Sequence, residues 1–264
     1  MAGPNTETQI DDLRVVAVVL EPPEVSAGDT MAVDVTVADP EGNGAELLFW
    51  TCTDPFYAGE CLEANLPLDQ WVQEGELDAD HWTHALEIPA SLGAWFAKGF
   101  TEMPVTTWTL ACEPGLCDLF EEVRRGDPGV GARLASPEDI LQGLPFEGVS
   151  LARRLALVSG REPGVRNENP VADPLFDADS LVERPRGVDL DFGVSEAGLD
   201  AYGFALEGGF SVTDTRSVDG KVELTWLPPE AGLKDPARVY VTFEDGEGGS
   251  AVWEGTILPK NGRN

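Results

Sequence analysis

The stretch Met31-Ala-Val-Asp-Val-Thr-Val37 alternates apolar and polar side chains without a break. Its methionine and three valines fall on one face, and Asp34 and Thr36 fall on the other. Because successive side chains of a strand point to opposite faces, this period of two predicts a β-strand with one buried face. The stretch therefore favours a β-sheet protein.

Further short apolar or alternating stretches lie on both sides, separated by turns rich in Pro, Gly and Asp. The predicted strands are Leu13–Leu20, Glu46–Cys52, Trp82–Ile88, Val105–Cys112, Leu151–Val158, Val188–Val194, Lys221–Leu227, Arg238–Phe243 and Ala251–Leu258. Many short strands with turn residues between them are typical of β-sandwiches. The fold class that we predict is mainly β, with two Ig-like β-sandwich domains joined by a short helical connector.

The chain has 264 residues, which suits one large domain or two small ones. We predict an N-terminal tail over residues 1–12 and an Ig-like sandwich with loop insertions over 13–113. A helical connector follows over 114–162, because Asp118–Gly126 and the segment from Ser136 carry helix-capping patterns. The second Ig-like sandwich is expected over 163–264.

The formal net charge is −31, from 17 basic and 48 acidic residues. Such a surface repels phosphate backbones and anionic lipids, which argues against nucleic acid and membrane surfaces as partners. No apolar run approaches the roughly 20 residues that a transmembrane helix needs. The acidity itself is typical of a solvated surface, and a saline habitat would also select it.

The four cysteines form two local pairs, Cys52 with Cys61 and Cys112 with Cys117. An even count in loop-bound pairs favours disulfides in an oxidising compartment, although three connectivities exist and a zinc site competes. The first residues carry no basic and apolar leader. Two alternatives stay open: a cytoplasmic protein, or an exported one without its leader. We favour export to the periplasm or cell surface.

Several segments together resemble a known type of module. Leu13–Val18, Glu21–Asp29 and Ala38–Gly42 resemble the opening of exported Ig-like modules in surface lipoproteins of myxobacteria and related bacteria. Tyr240–Trp253 resembles the closing hairpin of a PKD-like or cadherin-like sandwich. The resemblance implies an Ig-like fold, export with a lipid anchor through a segment upstream of these residues, and no known activity.

Catalytic patterns are not found. His81 and His84 are the only histidines, and in the predicted strand Trp82–Ile88 they point to opposite faces, so we expect surface histidines rather than a metal site. Neither a nucleophile elbow nor a phosphate-binding glycine loop appears. We therefore expect no enzyme and no cofactor, with a hydrolase of scattered carboxylates as the less favoured alternative.

Calcium is the metal that the composition suits best, because carboxylates supply hard oxygen ligands. Weak candidates are Asp39 with Glu41 and Asp245 with Glu247, in two acidic glycine turns that each follow a strand. Asp173, Asp177 and Asp179 form a third group. Acidic turns are usually only turns, so we expect both of the first two to be solvated hairpins without ordered calcium.

Three aromatic residues outside the clean strands, Trp71, Trp95 and Phe96, are candidate contacts for a partner or glycan. The alternative, which we favour, is that they pack against the sandwich. The expected function is a structural or binding protein of the cell envelope with an unknown protein or glycan partner. A carbohydrate-binding module that uses loop tryptophans is the second reading.

Overall fold

The structure is a computed structural model that describes residues 6–53, 72–76, 80–117 and 147–260. These residues are mainly β-strand, so the predicted mainly-β class is confirmed. The α-helix among them, α1, is the four-residue Gly93–Phe96. In this part of the chain no helix has the length and apolarity to cross a membrane.

Two compact units divide the chain. The first unit is Asp12–Glu168, and the second unit combines Met1–Asp11 with Asn169–Asn264. The second unit is thus discontinuous in sequence, with a segment from each side of the first unit. This division places residues 6–11 in a folded unit, where the sequence predicts a tail.

The first unit contains eight described strands in two sheets. They are β1 (Arg14–Glu21), β2 (Glu24–Val25), β3 (Thr30–Ala38), β4 (Glu46–Thr53), β5 (Val72–Glu76), β6 (His81–Glu87), β7 (Glu102–Cys112) and β8 (Val149–Ser159). One sheet has the order β1-β3-β6, and the other has the order β2-β8-β7-β4-β5. All neighbours are antiparallel except β2, which runs parallel to the end of β8.

The described residues of the second unit also form eight strands in two sheets. They are β9 (Ala172–Pro174), β10 (Val188–Val194), β11 (Asp200–Ala205), β12 (Gly209–Phe210), β13 (Asp214–Arg216), β14 (Lys221–Leu227), β15 (Ala237–Glu244) and β16 (Ser250–Ile257). The sheet orders are β12-β14-β10-β9 and β13-β11-β15-β16.

Both units have the strand pairing of an Ig-like sandwich. In such a fold, strands A, B and E share one sheet while C, F and G share the other. In the first unit, β1, β3 and β6 share one sheet in the positions of A, B and E, and β4, β7 and β8 share the other sheet in the positions of C, F and G. In the second unit the same sets are β9, β10 and β14, then β11, β15 and β16.

Alternation along the strands builds each core. In the first unit Met31, Val33, Val35 and Val37 are fully buried, as their period of two predicts. In the second unit the inward faces of β10 and β14 are likewise buried; they comprise Val188, Leu190, Phe192, Val222, Leu224 and Trp226. Burying such side chains contributes about 1.5–3 kcal/mol each, which makes these faces the main source of stability.

Two predicted boundaries differ from the structure. Strand β8 pairs along its full length with β7, so residues 149–159 complete the first unit rather than lead out of a connector. Residues 6–10 pack in the second unit instead of forming a tail, since Thr8 and Ile10 are buried there. The predicted connector helices, within residues 118–146, lie outside the described residues.

Candidate functional site

One predicted disulfide is present. Cys112 ends β7 and bonds to Cys117 across a short turn, with Cα atoms 5.4 Å apart. The Sγ atom of Cys117 lies 3.7 Å from the carbonyl oxygen of Glu46 at the start of β4, so the bond packs against the neighbouring strand. Cys61 and the side chain of Cys52 lie outside the described residues, and the predicted Cys52–Cys61 pairing stays a prediction.

The first acidic turn, residues 39–44, is organised by Asp39. Its carboxylate accepts backbone hydrogen bonds from Glu41 (3.2 Å), Gly42 (2.9 Å) and Gly44 (2.7 Å). The turn joins β3 to β4, which belong to different sheets. The predicted hairpin is therefore wrong here, because the chain crosses between sheets and the carboxylate closes the crossing.

The second acidic turn, residues 245–249, does join paired strands, β15 and β16. Asp245 Oδ1 accepts hydrogen bonds from the backbone N–H groups of Glu247 (2.7 Å) and Gly249 (2.9 Å). The carboxylates of Asp39 and Asp245 thus perform the same local task in both units. Each one satisfies amides that the turn would otherwise leave unpaired.

The carboxyl group of Glu196 is repelled by the carboxylates of the second acidic turn, an interaction that the sequence does not reveal. Desolvation, followed by repulsion from Asp245 and Glu247, raises the pKa of the Glu196 carboxyl above its ordinary value. In residues 6–53, 72–76, 80–117 and 147–260, no three His, Cys, Asp or Glu side chains converge as a metal-binding group. In the third acidic group, Asp177 accepts a hydrogen bond from the Asp179 backbone.

The two histidines lie on β6, which confirms the predicted strand and its opposite faces. His81 is exposed, but His84 is half-buried, so the surface prediction is wrong for His84. Its ring stacks on Trp82, with centroids 5.4 Å apart, and lies 6.1 Å from the ring of Phe49. This burial lowers the pKa of the His84 imidazole, and its role is packing.

Trp95 and Phe96 lie on α1 and pack against the core of the first unit. The rings of Phe100 and Trp95 lie nearly perpendicular with centroids 5.4 Å apart, and the Lys98 ammonium lies 4.6 Å from the centroid of the Trp95 ring. Both side chains are half-buried, so they are not open stacking platforms. Trp71 lies outside the described residues.

A buried carboxylate, Glu24 on β2, is the polar group that the sequence analysis missed. Its side chain is fully buried. It accepts hydrogen bonds from the Ser159 hydroxyl and from the Asn167 backbone N–H (2.8 Å), and Arg161 Nη1 lies 3.4 Å away. The partners follow or end β8, some 135 residues away in sequence, so no local pattern could indicate the group.

Arg166 extends this network around β2. Its guanidinium donates to Ser26 and pairs with Asp29 at 3.6 Å, while its Nε donates to the Arg161 carbonyl oxygen at 3.1 Å. The segment after β8 is thereby bonded to the start of the first unit at several points. We call Glu24, Ser159, Arg161, Arg166 and Asn167 the Glu24 network.

Glu183 occupies the equivalent place in the second unit. Residues 181–183 pair in parallel with Leu258, just after β16, as β2 pairs with β8. The Glu183 carboxylate accepts hydrogen bonds from the backbone N–H groups of Leu233 (3.2 Å) and Lys260 (3.4 Å). Glu183 is half-buried, whereas Glu24 is fully buried.

Comparisons with known proteins assign no family. No family model matches the chain, and no curated protein matches it. Among solved structures, the human OSCAR ligand-binding domain is 12% identical over 94% of this chain and 97% of its own, with a TM-score of 0.27. Dimeric latent PorU from Porphyromonas gingivalis is 7% identical, with a TM-score of 0.25, and the match covers 96% of this chain and 24% of PorU.

At these TM-scores, the two solved structures carry no argument about the fold, which rests on the strand pairing alone. Neither structure identifies a site in this chain.

Proposed function

We propose that this chain is a non-enzymatic structural or binding module of the cell envelope. One observation carries the proposal: in the part of the chain that the structure describes, several polar side chains of the kind that catalysis uses are engaged in holding the fold together. Asp39 and Asp245 close turns, His84 packs on Trp82, and Glu24 with Ser159 fastens a chain segment. Such a division of labour is expected of a rigid module that presents surfaces rather than a reactive centre.

Export to the periplasm or cell surface is part of the proposal. Its support is the Cys112–Cys117 disulfide, because disulfides persist chiefly in oxidising compartments. Attachment through a lipid anchor is the more specific version of this export proposal. Mass spectrometry of the protein from its source organism tests both, through an acylated N-terminal cysteine and the oxidised bond.

A substrate panel tests the non-enzymatic part. The purified chain is incubated with esters, peptides, glycosides and phosphoesters, and we expect no turnover above the buffer rate. The Glu207→Gln variant, which removes an exposed carboxylate from another loop of the second unit, serves as the matched control. Turnover that co-purifies with the chain and disappears in a variant of an exposed carboxylate, such as Glu196→Gln, would overturn the proposal.

A binding assay tests the partner class. Beads coated with the chain should retain envelope fragments of the source organism saturably, and beads coated with an unrelated protein of equal negative charge should not. A glycan array separates the two partner classes. Saturable glycan binding that is lost in Trp71→Ala but kept in His81→Ala would identify carbohydrate recognition. Binding of protein components alone would identify a protein partner.

A further inference from the structure

The first acidic turn holds a side-chain amide and the backbone amide that follows it against carboxylates. Asn43 precedes Gly44, and both residues are exposed. The Gly44 backbone N–H donates to Asp39 Oδ2 at 2.7 Å. Asn43 Nδ2 donates to Glu41 Oε2 at 2.9 Å and to Glu113 Oε1 at 3.3 Å. Because carboxylates only accept hydrogen bonds, these contacts also determine which atom of the Asn43 amide is the nitrogen.

An asparagine that precedes a glycine has a reaction open to it with its own backbone. The nitrogen of the glycine attacks the asparagine Cγ atom and closes a succinimide ring, a step that a side chain on the second residue hinders. Gly44 has no side chain and a φ of +84°. Beyond its chain neighbours, no atom of the described residues lies within 4 Å of the place where a Cβ would be. Ring closure between Asn43 and Gly44 is therefore sterically open.

Asp39 lies where this reaction needs a base. A backbone amide nitrogen becomes a nucleophile when its proton is removed, and a general base must be within hydrogen-bond reach of that proton, as Asp39 Oδ2 is. The other oxygen, Oδ1, accepts from the Glu41 and Gly42 amides, which orients the carboxylate. We propose that Asn43 is a self-modification site, at which Asp39 acts as the base for succinimide formation between Asn43 and Gly44.

The reaction balances with water as its only co-reactant. The Gly44 N–H bond breaks as the proton passes to Asp39 Oδ2, and the nitrogen electron pair forms the bond to Asn43 Cγ. The Cγ–Nδ2 bond then breaks, and the leaving nitrogen takes the proton from Asp39 and departs as ammonia. Glu41 and Glu113, which accept hydrogen bonds from Nδ2, stabilise the positive charge that develops on it. Water opens the ring and leaves aspartate or isoaspartate at position 43.

The proposal is independent of the proposed function, and it predicts that folding accelerates the reaction. Hydrogen bonds that only restrained the turn would slow ring closure, whereas a base held on the Gly44 amide speeds it. We therefore expect Asn43 to react several-fold faster in the folded chain than in a peptide of residues 38–48 in the same buffer. The product carries an acceptor where the amide donated, so its contacts with Glu41 and Glu113 become repulsive.

Peptide mapping of the full-length chain during incubation at neutral pH tests the proposal. Mass spectrometry follows the replacement of the Asn43 amide by a carboxyl group, and an isoaspartate-specific methyltransferase labels the rearranged product. Asp39→Asn keeps an acceptor for the Gly44 amide but is too weak a base to take its proton, so the reaction should slow several-fold. Glu207→Gln removes the same charge from an exposed position in the second unit and should leave the rate unchanged.

Asn261 provides an internal reference, because it also precedes a glycine. Its rate should be the same in the native chain, Asp39→Asn and Glu207→Gln. The comparison of the folded chain with the peptide needs no variant, so it holds even where Asp39→Asn unfolds the turn. A folded-state rate at Asn43 equal to or below that of the peptide would overturn the proposal, as would an unchanged rate in a folded Asp39→Asn variant.

Discussion

The first and second units both bring a segment from near their start alongside their last strand, and both place a glutamate there. In the first unit β2 runs parallel to β8 beside Glu24; in the second unit residues 181–183 run parallel to Leu258 beside Glu183. The surroundings of the two carboxylates differ. Glu24 is fully buried, with a hydroxyl, an amide and a guanidinium as partners, while Glu183 is half-buried and bonds two backbone amides.

This difference shows how burial determines the hydrogen-bond partners that a carboxylate needs. We call the contacts of Glu24 and of Glu183 with their neighbouring segments the two junctions. A carboxylate removed from water must receive strong hydrogen bonds, since an unpaired buried charge is very costly. A half-exposed carboxylate keeps water as a partner, so two longer backbone bonds suffice. The same strand arrangement is therefore stabilised more strongly by its glutamate in the first unit than in the second.

The largest expected effect is that of Glu24→Ala. The Arg161 guanidinium is 44% exposed, so its ion pair contributes little, and most of the loss comes from the bonds of Ser159 and Asn167 to the carboxylate. We expect a loss of about 3 kcal/mol in the free energy of unfolding. Denaturant unfolding measures it. Glu183→Ala should lower the free energy of unfolding by about 1 kcal/mol. Equal losses in the two variants would contradict the contrast between the units.

Loss of the Cys112–Cys117 disulfide should come next. A loop of this length contributes about 2 kcal/mol on the chain-entropy model, through restriction of the unfolded chain. The Cys112→Ser/Cys117→Ser variant should therefore unfold at lower denaturant concentration, and mass spectrometry should show a gain of about 2 Da when the native bond is reduced. A variant as stable as the native oxidised chain would contradict this account.

The turn aspartates should have a smaller effect. Asp39 satisfies three backbone amides and Asp245 satisfies two, so we expect Asp39→Ala to cost about 1 kcal/mol and Asp245→Ala somewhat less. Calcium titration at fixed ionic strength should show no stoichiometric binding, because both carboxylates already bond amides. A saturable isotherm that Asp39→Asn or Asp245→Asn abolishes would identify calcium sites instead.

The smallest expected effects are two pH responses of opposite sign. Burial lowers the folded-state pKa of His84 below its ordinary 6.5, so the unfolded chain binds more protons and stability falls as the pH drops below 6.5. The pKa of Glu196 is raised above 4.5, so its contribution is full below that pH and is lost as the pH rises through the raised value.

Two variants separate these pH responses. Glu196→Gln should stabilise the second unit at pH 7 and have no such effect well below pH 4.5. Glu207→Gln removes the same charge from another loop and serves as the control. His84→Gln should flatten the stability loss below pH 6.5. An unchanged pH profile in His84→Gln would exclude His84 as its source.

The core strands could be predicted from the sequence because a half-buried strand has a period of two. Val188–Val194 and Lys221–Leu227 match the predicted bounds, and their inward faces are buried. Strand β11 was missed because Gly203 interrupts its pattern. That glycine is required by packing, since a Cβ atom there would lie 2.6 Å from the ring of Phe210.

The contacts of Glu24 and the packing of residues 6–10 could not be predicted, because their partners are distant in sequence. Glu24 meets Ser159 across 135 residues, and Thr8 meets Phe210 across 202 residues. A lone glutamate after two prolines, or a threonine two residues before an isoleucine, has no local signature. Such contacts follow from the strand pairing, which brings the segments together.

Hydrogen exchange is the most direct test of the central claim. That claim is that the buried Glu24 carboxylate holds its segment of the first unit more strongly than the half-buried Glu183 carboxylate holds its segment of the second unit. Exchange is followed for the Asn167 and Lys260 amides in the native chain, Glu24→Gln and Glu183→Gln. We predict that Glu24→Gln accelerates Asn167 by more than Glu183→Gln accelerates Lys260, with each variant leaving the other junction unchanged. Equal acceleration, or a larger effect at Lys260, would contradict the account.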